Sequence, residues 1–374
     1  MKGRKEHSIL SDYTNNSGLK ADILPVDIVF HPSWWFKNTG ITFDEDFFYH
    51  PLKRIESERK MEKELYNRFG MYGLGKDRDK NIPVIGAVHN AAGYFLSELL
   101  GCKTGFFEDA APQVYPAYHE ELKIQNGDIF KTPAFKKLYS LLEKLKSRYG
   151  YLSGDINWSG ILNIALDLQS EKIFMDFFEK PEETKKYFRD IFQVIEKFTT
   201  YIQKETGTTS VSVNRVVSHF EKPILLHSEC SHVMISVEDY ESFLLPFDIE
   251  WSRKFRPFGI HYCGADPHRM AQSYAKIPNL DFLDVGWGGD VKIIRKYLPD
   301  TFLNIRLSPV EIINQTNEEI RDIIIQLVKD SGNPFLTGVC CINMDDKVED
   351  EKIITILKTV ESLRKTHGQN NSLF

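Results

Sequence analysis

The sequence lacks a run of apolar residues long enough to span a membrane. The best candidate, residues 320–328, is interrupted by Arg321, Asp322 and Gln326, whereas a transmembrane helix needs about 18 or more apolar residues. Residues 1–19 are polar and contain no apolar core of the kind that signal peptides have. We therefore expect a cytoplasmic protein that does not bind membranes.

Basic patches, internal repeats and nucleotide-binding glycine motifs are also absent. The net charge is −6, and Lys and Arg form no long block, whereas nucleic-acid binding needs a basic face. No G-x-G-x-x-G motif follows the early predicted strands, so the usual sign of dinucleotide binding is missing. The composition, 42% hydrophobic and 27% charged, is that of an ordinary globular protein. We expect no nucleic-acid partner.

Cysteine is scarce, and its number is odd. The five cysteines are Cys102, Cys230, Cys263, Cys340 and Cys341. A disulfide scaffold is typically a short secreted chain with an even and denser set of cysteines. In 374 residues, five cysteines instead favour reduced thiols that bind a metal or take part in redox chemistry.

Short β-rich segments alternate with longer segments of helical periodicity. Strands are predicted at residues 25–30, 105–107, 150–154, 210–216, 224–227, 259–263, 280–285, 302–306 and 335–340. Several are continuous apolar runs, which is typical of strands buried on both faces of a parallel sheet. About eight strand–helix units favour an α/β fold that closes as a (β/α)8 TIM barrel. The alternative is an open, doubly wound sheet.

Cap residues define the clearest predicted helices, because Ser, Thr and Asn side chains accept hydrogen bonds from the free N–H groups of a first turn. The predicted caps are Thr132, Ser236 and Asn317, and a further long helix is predicted to begin at Pro181. Together with the strands they predict a single barrel domain over residues 23–365. An N-terminal extension of residues 1–22 and a C-terminal segment of residues 366–374 are predicted to be flexible tails.

The segment Phe258-Gly259-Ile260-His261-Tyr262-Cys263-Gly264 carries the most chemical information. Residues two apart on a strand point to the same face, so His261 and Cys263 project together. The turn at Gly264 places them at the carboxyl end of the strand, where barrel enzymes have their sites. Imidazole and thiolate are preferred zinc ligands, and a catalytic zinc takes three protein ligands. Cys340, at the end of the last predicted strand, is the third candidate.

Taken alone, this pattern has a simpler interpretation. A core cysteine beside a hydrogen-bonded histidine would show the same H-x-C spacing, and Cys340 and Cys341 would then be two small buried hydrophobic residues.

The wider pattern, however, resembles a known family. The H-x-C-G strand end, followed far along the chain by a cysteine on a terminal strand, resembles the zinc motif of corrinoid-linked methyltransferases. These belong to the uroporphyrinogen decarboxylase superfamily, which is built on a barrel. The resemblance covers most of the chain: residues 154–167 look like the family's third strand and helix, 235–246 like a later helix, and 304–309 like the penultimate strand. The decarboxylase itself is excluded, because residues 25–35 contain no arginine for its substrate's carboxylates.

The resemblance implies a zinc-dependent methyltransferase whose metal is held by His261, Cys263 and Cys340. The family's last strand usually reads STGC, whereas here Val339 stands where glycine is expected and Cys341 adds a second thiol. Cys340 is preferred for its spacing, and the choice between Cys340 and Cys341 stays open.

The methyltransferases that the sequence resembles are of two kinds, which differ in the methyl transfer that the zinc assists. Residues 34–47 and 227–232 resemble the corrinoid O-demethylases, and the 26 Phe and 16 Tyr residues suit an aromatic pocket. The implied reaction is O-demethylation, in which a methyl group moves from a methylated donor such as a methoxyarene to the Co(I) of a corrinoid protein. The alternatives are a thiol-directed methyltransferase with the same metal and a non-catalytic barrel with structural zinc.

Further site residues follow from the same strand ends. Glu229 is the candidate for a fourth zinc ligand or for a proton donor to the leaving oxygen, the alternative being a surface carboxylate on a loop. His227 shares its face of the strand and is a second catalytic candidate, and Cys230 is a weaker candidate for the metal. Asp284 is the expected acceptor for the other N–H of a metal-bound histidine.

Substrate contacts are predicted at His89, Asn90, Asp155 and Asn157, although a structural role explains each of them better when it is taken singly. The cobalamin motif D-x-H-x-x-G has only an imperfect echo at residues 266–271. We therefore expect cobalamin, or another corrinoid, to be supplied by a separate partner protein that receives the methyl group. The other expected partner is the small-molecule methyl donor, and a homodimer is left open.

Overall fold

The computed structural model describes residues 23–75, 93–125, 127–152, 154, 158–207, 220, 222 and 224–370. These residues form two compact units. The sheet unit consists of residues 23–29 and 71–73 and the described part of Asn214–Phe374. The helical unit consists of Phe30–Gly70 and the described part of Leu74–Val213.

The sheet unit is organised by a curled parallel sheet. The strands of the described chain are β1 (Val26–Phe30), β2 (Lys103–Gly105), β3 (Gln113–Tyr115), β4 (Leu225–Ser228), β5 (Phe258–His261), β6 (Phe282–Val285), β7 (Phe302–Leu307) and β8 (Thr337–Met344). Six of them form one sheet in the order β1-β8-β7-β6-β5-β4, and the pairs from β4 to β8 are parallel. The predicted parallel α/β architecture is confirmed.

The continuous apolar runs of the sequence become strands that are covered on both faces. Every residue of β1 and of β4 to β7 is buried. Burial on both faces is the usual environment of parallel strands, because their crossover segments return across the sheet. The predicted strands at 25–30, 224–227, 259–263, 280–285, 302–306 and 335–340 therefore each overlap an observed one.

Two predicted strands were wrong. At 105–107 the observed strand is β2, whose residues are exposed or half-buried and pair in antiparallel fashion with β3, so it is not a strand of the parallel sheet. At 150–154, Gly150 ends a helix with a φ of 81°, a left-handed conformation that glycine adopts without strain. Residues 151, 152 and 154 lie in no strand, and the predicted strand at 210–216 falls outside the described residues.

The order of the strands bears on the predicted closure of the barrel. The first strand, β1, is hydrogen-bonded to the last, β8, and this pairing is the one that closes a barrel whose strands follow chain order. Among the described residues the sheet ends at β4 and β1. The described sheet is thus a half-barrel, and full closure stays a prediction.

The helices follow the strands along the chain. The α-helices are α1 (Pro32–Thr39), α2 (Glu45–Tyr49), α3 (Pro51–Phe69), α4 (Tyr94–Leu99), α5 (Pro133–Tyr149), α6 (Ile161–Gln169), α7 (Lys172–Glu179), α8 (Pro181–Thr206), α9 (Val237–Asp239), α10 (Leu245–Lys254), α11 (Ala271–Tyr274), α12 (Val291–Tyr297), α13 (Pro309–Asn314), α14 (Asn317–Asp330) and α15 (Asp350–Asn370). A π-helical turn, Tyr240–Leu244, joins α9 to α10, and 3-10 turns lie at Gly70–Tyr72, Ile129–Lys131, Cys230–Met234, Pro267–Met270 and Pro334–Leu336. Within the described ranges no helix is both long and apolar enough to cross a membrane.

Capping side chains explain where several helices begin. Thr132 accepts a hydrogen bond from the Phe135 N–H at 3.2 Å, and Ser236 accepts one from the Asp239 N–H at 3.0 Å, as predicted. The predicted cap at Asn317 was wrong by one residue. Thr316 caps α14 in a reciprocal capping box with Glu319, because a hydroxyl and a glutamate three residues later satisfy two free N–H groups at once.

The last helix extends into the segment predicted to be a tail. It runs to Asn370, beyond residue 365 where the barrel was predicted to end. The Arg364 side chain anchors this part of the helix, since its Nε donates to the Ile23 carbonyl at 2.8 Å and its Nη2 to the Leu24 carbonyl at 2.9 Å.

Candidate functional site

Four neighbouring strands place polar side chains in one buried row. His261 on β5 lies in register with Asp284 on β6, and Asp284 lies in register with Asn304 on β7. Arg306, two residues further along β7, lies in register with Cys340 on β8. Each of these side chains is at most 4% exposed. Polar groups are rarely buried without a specific partner or role, so the carboxyl ends of these strands are the candidate site.

His261 is held by its neighbour on the next strand. Its Nδ1 is hydrogen-bonded to Oδ2 of Asp284, and Oδ1 of Asp284 accepts from the Asn304 amide at 2.9 Å. The other ring nitrogen, Nε2, is buried and has no hydrogen-bond partner among the described residues. Burial lowers the pKa of His261, but the Asp284 carboxylate outweighs it and raises this pKa to about 9. The expected role of Asp284 as the acceptor that orients His261 agrees with this geometry.

Two thiols lie beside this imidazole. A ring nitrogen of His261 and the Sγ atoms of Cys230 and Cys263 lie within 4.8 Å of one another. A hydrogen bond from Cys230 lowers the pKa of the Cys263 thiol far below its usual value, with further help from His261 and the Arg306 guanidinium. Arg306 Nη1 donates to the Cys263 sulfur at 3.1 Å. These neighbours favour the thiolate form of Cys263, the form in which cysteine binds metals.

The cluster fits a zinc ion. Zinc takes tetrahedral sets of cysteine sulfur and histidine nitrogen, with bond lengths that put neighbouring ligand atoms about 3.5 to 4 Å apart. The 4.8 Å limit on the cluster needs only a small contraction to reach that spacing. The buried Nε2 without a partner is the donor that such an ion would use, since Nδ1 is engaged by Asp284.

Cys340 lies in the same row but outside this cluster. Its sulfur accepts from the Asn304 Nδ2 at 3.2 Å and lies 3.8 Å from Asp284 Oδ1. Burial raises the pKa of Cys340 well above its usual value. Its part in metal binding stays a prediction, and the cluster formed by described residues contains Cys230 in the place where Cys340 was expected.

Cys341 has different neighbours. Its sulfur lies 3.5 Å from the Leu307 carbonyl and 3.1 Å from the Met344 sulfur. Adjacent residues on a strand point to opposite faces, so Cys341 is directed away from the face that carries Cys340. Its contacts are those of a small buried hydrophobic residue.

A second buried histidine lies on the neighbouring strand. His227 on β4 has its Nδ1 2.7 Å from Oδ1 of Asp248 on α10, and the Tyr240 hydroxyl donates to Oδ2 of the same carboxylate at 2.7 Å. The other nitrogen of His227 lies 3.6 Å from Oε2 of Glu229. Burial lowers the pKa of His227, but Asp248 and Glu229 raise it above its usual value.

Glu229 connects the two histidines. Its backbone N–H donates to the His261 carbonyl at 3.3 Å, and its Oε1 accepts from the Ser231 N–H at 3.3 Å. It directly precedes Cys230 of the cluster. Its side chain is fully buried, so the alternative of a surface carboxylate is wrong. The predicted pair His227 and Glu229 is thus adjacent to the cluster of Cys230, His261 and Cys263.

Other members of the site were missed by sequence analysis. Asp248 lies on the buried face of α10 together with Leu245, Trp251 and Ser252, and a carboxylate in such a stripe is a sign of function that the helical period could have shown. Arg306 carries a similar signal, because it alternates with Asn304 in an otherwise apolar strand.

The predicted substrate contacts cannot be placed in this site. His89, Asn90, Asp155 and Asn157 all lie outside the described residues. They stay predictions.

Two solved structures share the fold over nearly the whole chain. A methyltransferase from Methanosarcina mazei matches with a TM-score of 0.64 and 11% sequence identity, over 96% of this chain and 99% of that chain. A B12-independent methionine synthase from Shewanella sp. W3-18-1, in complex with selenomethionine, matches with a TM-score of 0.52 and 8% identity, over 95% of this chain and 100% of that chain. No protein-family model and no curated protein matches the chain. At these identities the likeness shows the fold alone.

Proposed function

We propose that this protein is a zinc-dependent methyltransferase that takes a methyl group from a methoxyarene and passes it to the Co(I) of a separate corrinoid protein. The observation that carries the proposal is the cluster of Cys230, His261 and Cys263, in which the imidazole is buried and the two thiols are half-buried. Two structures of the same fold are of a methyltransferase and a methionine synthase, which supports the reaction class. The choice of donor and of corrinoid acceptor rests on the family resemblance of the sequence.

The zinc would be held by His261 Nε2 and the sulfurs of Cys230 and Cys263. Three protein ligands leave one position for a substrate, as catalytic zinc sites do. When bound, zinc would supply a Lewis acid that polarises the donor's ether oxygen. Arg306, which contacts the Cys263 sulfur, would offset part of the charge of the thiolates.

Glu229 and His227 would manage the proton. In the proposed transfer the C–O bond of the donor breaks and the oxygen keeps its electron pair. The methyl carbon forms its new bond with the electron pair of the acceptor, and the oxygen takes a proton. Glu229 and His227 are 3.6 Å apart, and both are fully buried. A buried pair of this kind can hold a proton at Glu229 Oε2 for the leaving oxygen.

The fold implies one further structural proposal. We expect the half-barrel of β1 and β4 to β8 to be completed by two more strands, which gives the closed (β/α)8 barrel predicted from the sequence. The carboxyl ends of β4 to β8 would then line the mouth, where the corrinoid protein would approach.

Methyl transfer to free cob(I)alamin tests this function. The zinc-loaded protein is incubated with a panel of methoxylated benzenes, and the formation of methylcobalamin is followed by absorbance. We expect transfer that depends on both the protein and its zinc, with chelator-treated protein as the control. Methoxyarene demethylation without any corrinoid would contradict the assigned acceptor.

The same assay separates the two alternatives. Free thiols are offered with methylcobalamin as donor. Methylation of thiols, with methoxyarenes inert, would show a thiol-directed enzyme. Inactivity in both directions, with zinc bound, would show a non-catalytic barrel.

A further inference from the structure

Behind Glu229 lies a chain of buried polar groups that the proposed function does not yet explain. It runs from the Tyr240 hydroxyl to Asp248, from Asp248 to His227, and from His227 to Glu229. All four residues are fully buried. Four buried polar side chains in series are costly to desolvate, and a hydrophobic core would be obtained more simply without them.

The local helix geometry serves this chain. Tyr240 begins the π-helical turn Tyr240–Leu244, and Asp248 lies on the following helix α10. Across this turn the Tyr240 hydroxyl and the Asp248 carboxylate are 2.7 Å apart. Single π-turns of this kind recur at functional sites.

The imidazole of His227 is fixed from two sides. Asp248 accepts at Nδ1 at 2.7 Å, and the Trp251 ring packs edge-on against the imidazole with centroids 4.8 Å apart. Burial and the nearby Asp248 raise the pKa of the Tyr240 hydroxyl well above its usual value, so Tyr240 remains a donor to Asp248. Asp248 binds His227 at Nδ1 and fixes the proton there, so Nε2 is the nitrogen that faces Glu229.

We propose that Asp248 and Tyr240 are positioning residues for proton transfer: they orient His227 so that its Nε2 holds Glu229 Oε2 toward the leaving oxygen of the donor. The proposal rests on the proposed methyl transfer and deepens it. It assigns the chain Tyr240, Asp248, His227 and Glu229 to proton delivery and the cluster of Cys230, His261 and Cys263 to the metal.

The dependence on the leaving group distinguishes positioning from a structural role. A donor whose phenolate is a poor leaving group, such as 2-methoxyphenol, needs the proton, whereas 4-nitroanisole needs it much less. We expect Asp248→Asn and Tyr240→Phe to slow kcat for 2-methoxyphenol by about 10- to 100-fold and about 3- to 10-fold respectively, and to change the rate for 4-nitroanisole by less than about threefold. Zinc content is expected to remain that of the wild type in both variants.

A matched control is available in the same unit. Asp281 is a fully buried carboxylate that pairs with Arg256 instead of a histidine. Asp281→Asn removes the same group outside the chain, and we expect it to leave the ratio of the two donor rates unchanged.

A spectroscopic readout tests the orientation without turnover. Imidazole ¹⁵N shifts, assigned to His227 by the signal that His227→Gln removes, should show an Nδ1 proton that is hydrogen-bonded to Asp248 in the wild type and a shifted Nδ1 signal in Asp248→Asn. Variants that slow both donors equally, or an unchanged Nδ1 signal in Asp248→Asn, would overturn the inference alone. A wild type that transfers no methyl group from any donor would overturn the proposed function and this inference with it.

Discussion

Two histidines on adjacent strands each pair with an aspartate, and the two pairs differ chiefly in what faces the second nitrogen of the histidine. His261 is bound through Nδ1 to Asp284, and His227 is bound through Nδ1 to Asp248. All four side chains are fully buried. Beyond the ring of His261 lie two thiols, whereas beyond the ring of His227 lies the Glu229 carboxylate.

This difference assigns the two pairs to different chemistry. A carboxylate at Nδ1 fixes the tautomer and makes the imidazole more basic in either case. Soft sulfur donors beside Nε2 are the ligand set that zinc prefers, whereas a carboxylate beside Nε2 is suited to proton transfer. The pairing of His with Asp is therefore shared, and the third partner decides the role.

The largest effect is expected from the removal of the Cys263 thiol, which lies beside His261 in the cluster. In Cys263→Ala we expect bound zinc to fall from about one per chain to near zero, and methyl transfer to fall to the rate without enzyme. Elemental analysis after zinc-replete purification measures the first effect. Cys102→Ala, a buried cysteine in the helical unit, is the control and should keep its zinc. Full zinc occupancy in Cys263→Ala would contradict the metal site.

A second test ranks the two remaining thiols. We expect Cys230→Ala to weaken zinc binding by more than about 100-fold, because even the outer partners of metal ligands contribute about 10- to 100-fold. Cys340→Ala should weaken it by less than about tenfold, because the Cys340 sulfur is engaged by Asn304. Competition with a chromophoric chelator measures both affinities. The opposite ranking would favour the ligand set predicted from the sequence, with Cys340 as the third ligand.

A third test compares the two aspartates directly. Asp284→Asn should weaken zinc binding by about 10- to 100-fold, whereas Asp248→Asn should change it by less than about threefold. The chelator competition used for the cysteines gives both values. Equal losses in the two variants would show that the histidine pairs do not have separate roles.

The smallest effect is expected at a buried carboxylate that pairs with a serine instead of a histidine. Asp167, in the helical unit, accepts from the Ser97 hydroxyl at 2.6 Å, and burial raises its pKa to about 6. Because this pKa is above that of the unfolded chain, the folded state loses stability as the pH rises from about 4 to about 6. Asp167→Asn should therefore increase the free energy of unfolding at pH 7 by about 1 kcal/mol, with little change at pH 4.

Denaturant unfolding at the two pH values measures this effect. Ser97→Ala provides the comparison, because it removes the hydroxyl and should destabilise the charged carboxylate further at pH 7. An Asp167→Asn variant that is equally stabilised at both pH values would contradict the raised pKa.

Much of the sheet and two members of the candidate site could be predicted from the sequence. The continuous apolar runs predicted the strands of the parallel sheet, because a strand that is buried on both faces carries apolar residues at successive positions instead of alternating apolar and polar ones. His261 and Cys263 could be paired because the strand period of two is a local property of the backbone. The weakly apolar segments at 105–107 and 150–154 gave wrong strands, since short runs do not distinguish a buried strand from a hairpin or a helix end.

The sequence by itself determined that His261 and Cys263 lie together at the carboxyl end of a strand. Only the tertiary structure decided which groups meet them. Cys230 follows β4 in a 3-10 turn, Asp248 lies on α10, and Arg306 comes from β7. Each approaches through the packing of a separate element, and that packing depends on contacts between residues distant in the chain, which no local period records. The physical reason is that ligand identity is set by distances of a few ångströms in space, while sequence patterns report only the direction in which each side chain leaves its own strand or helix.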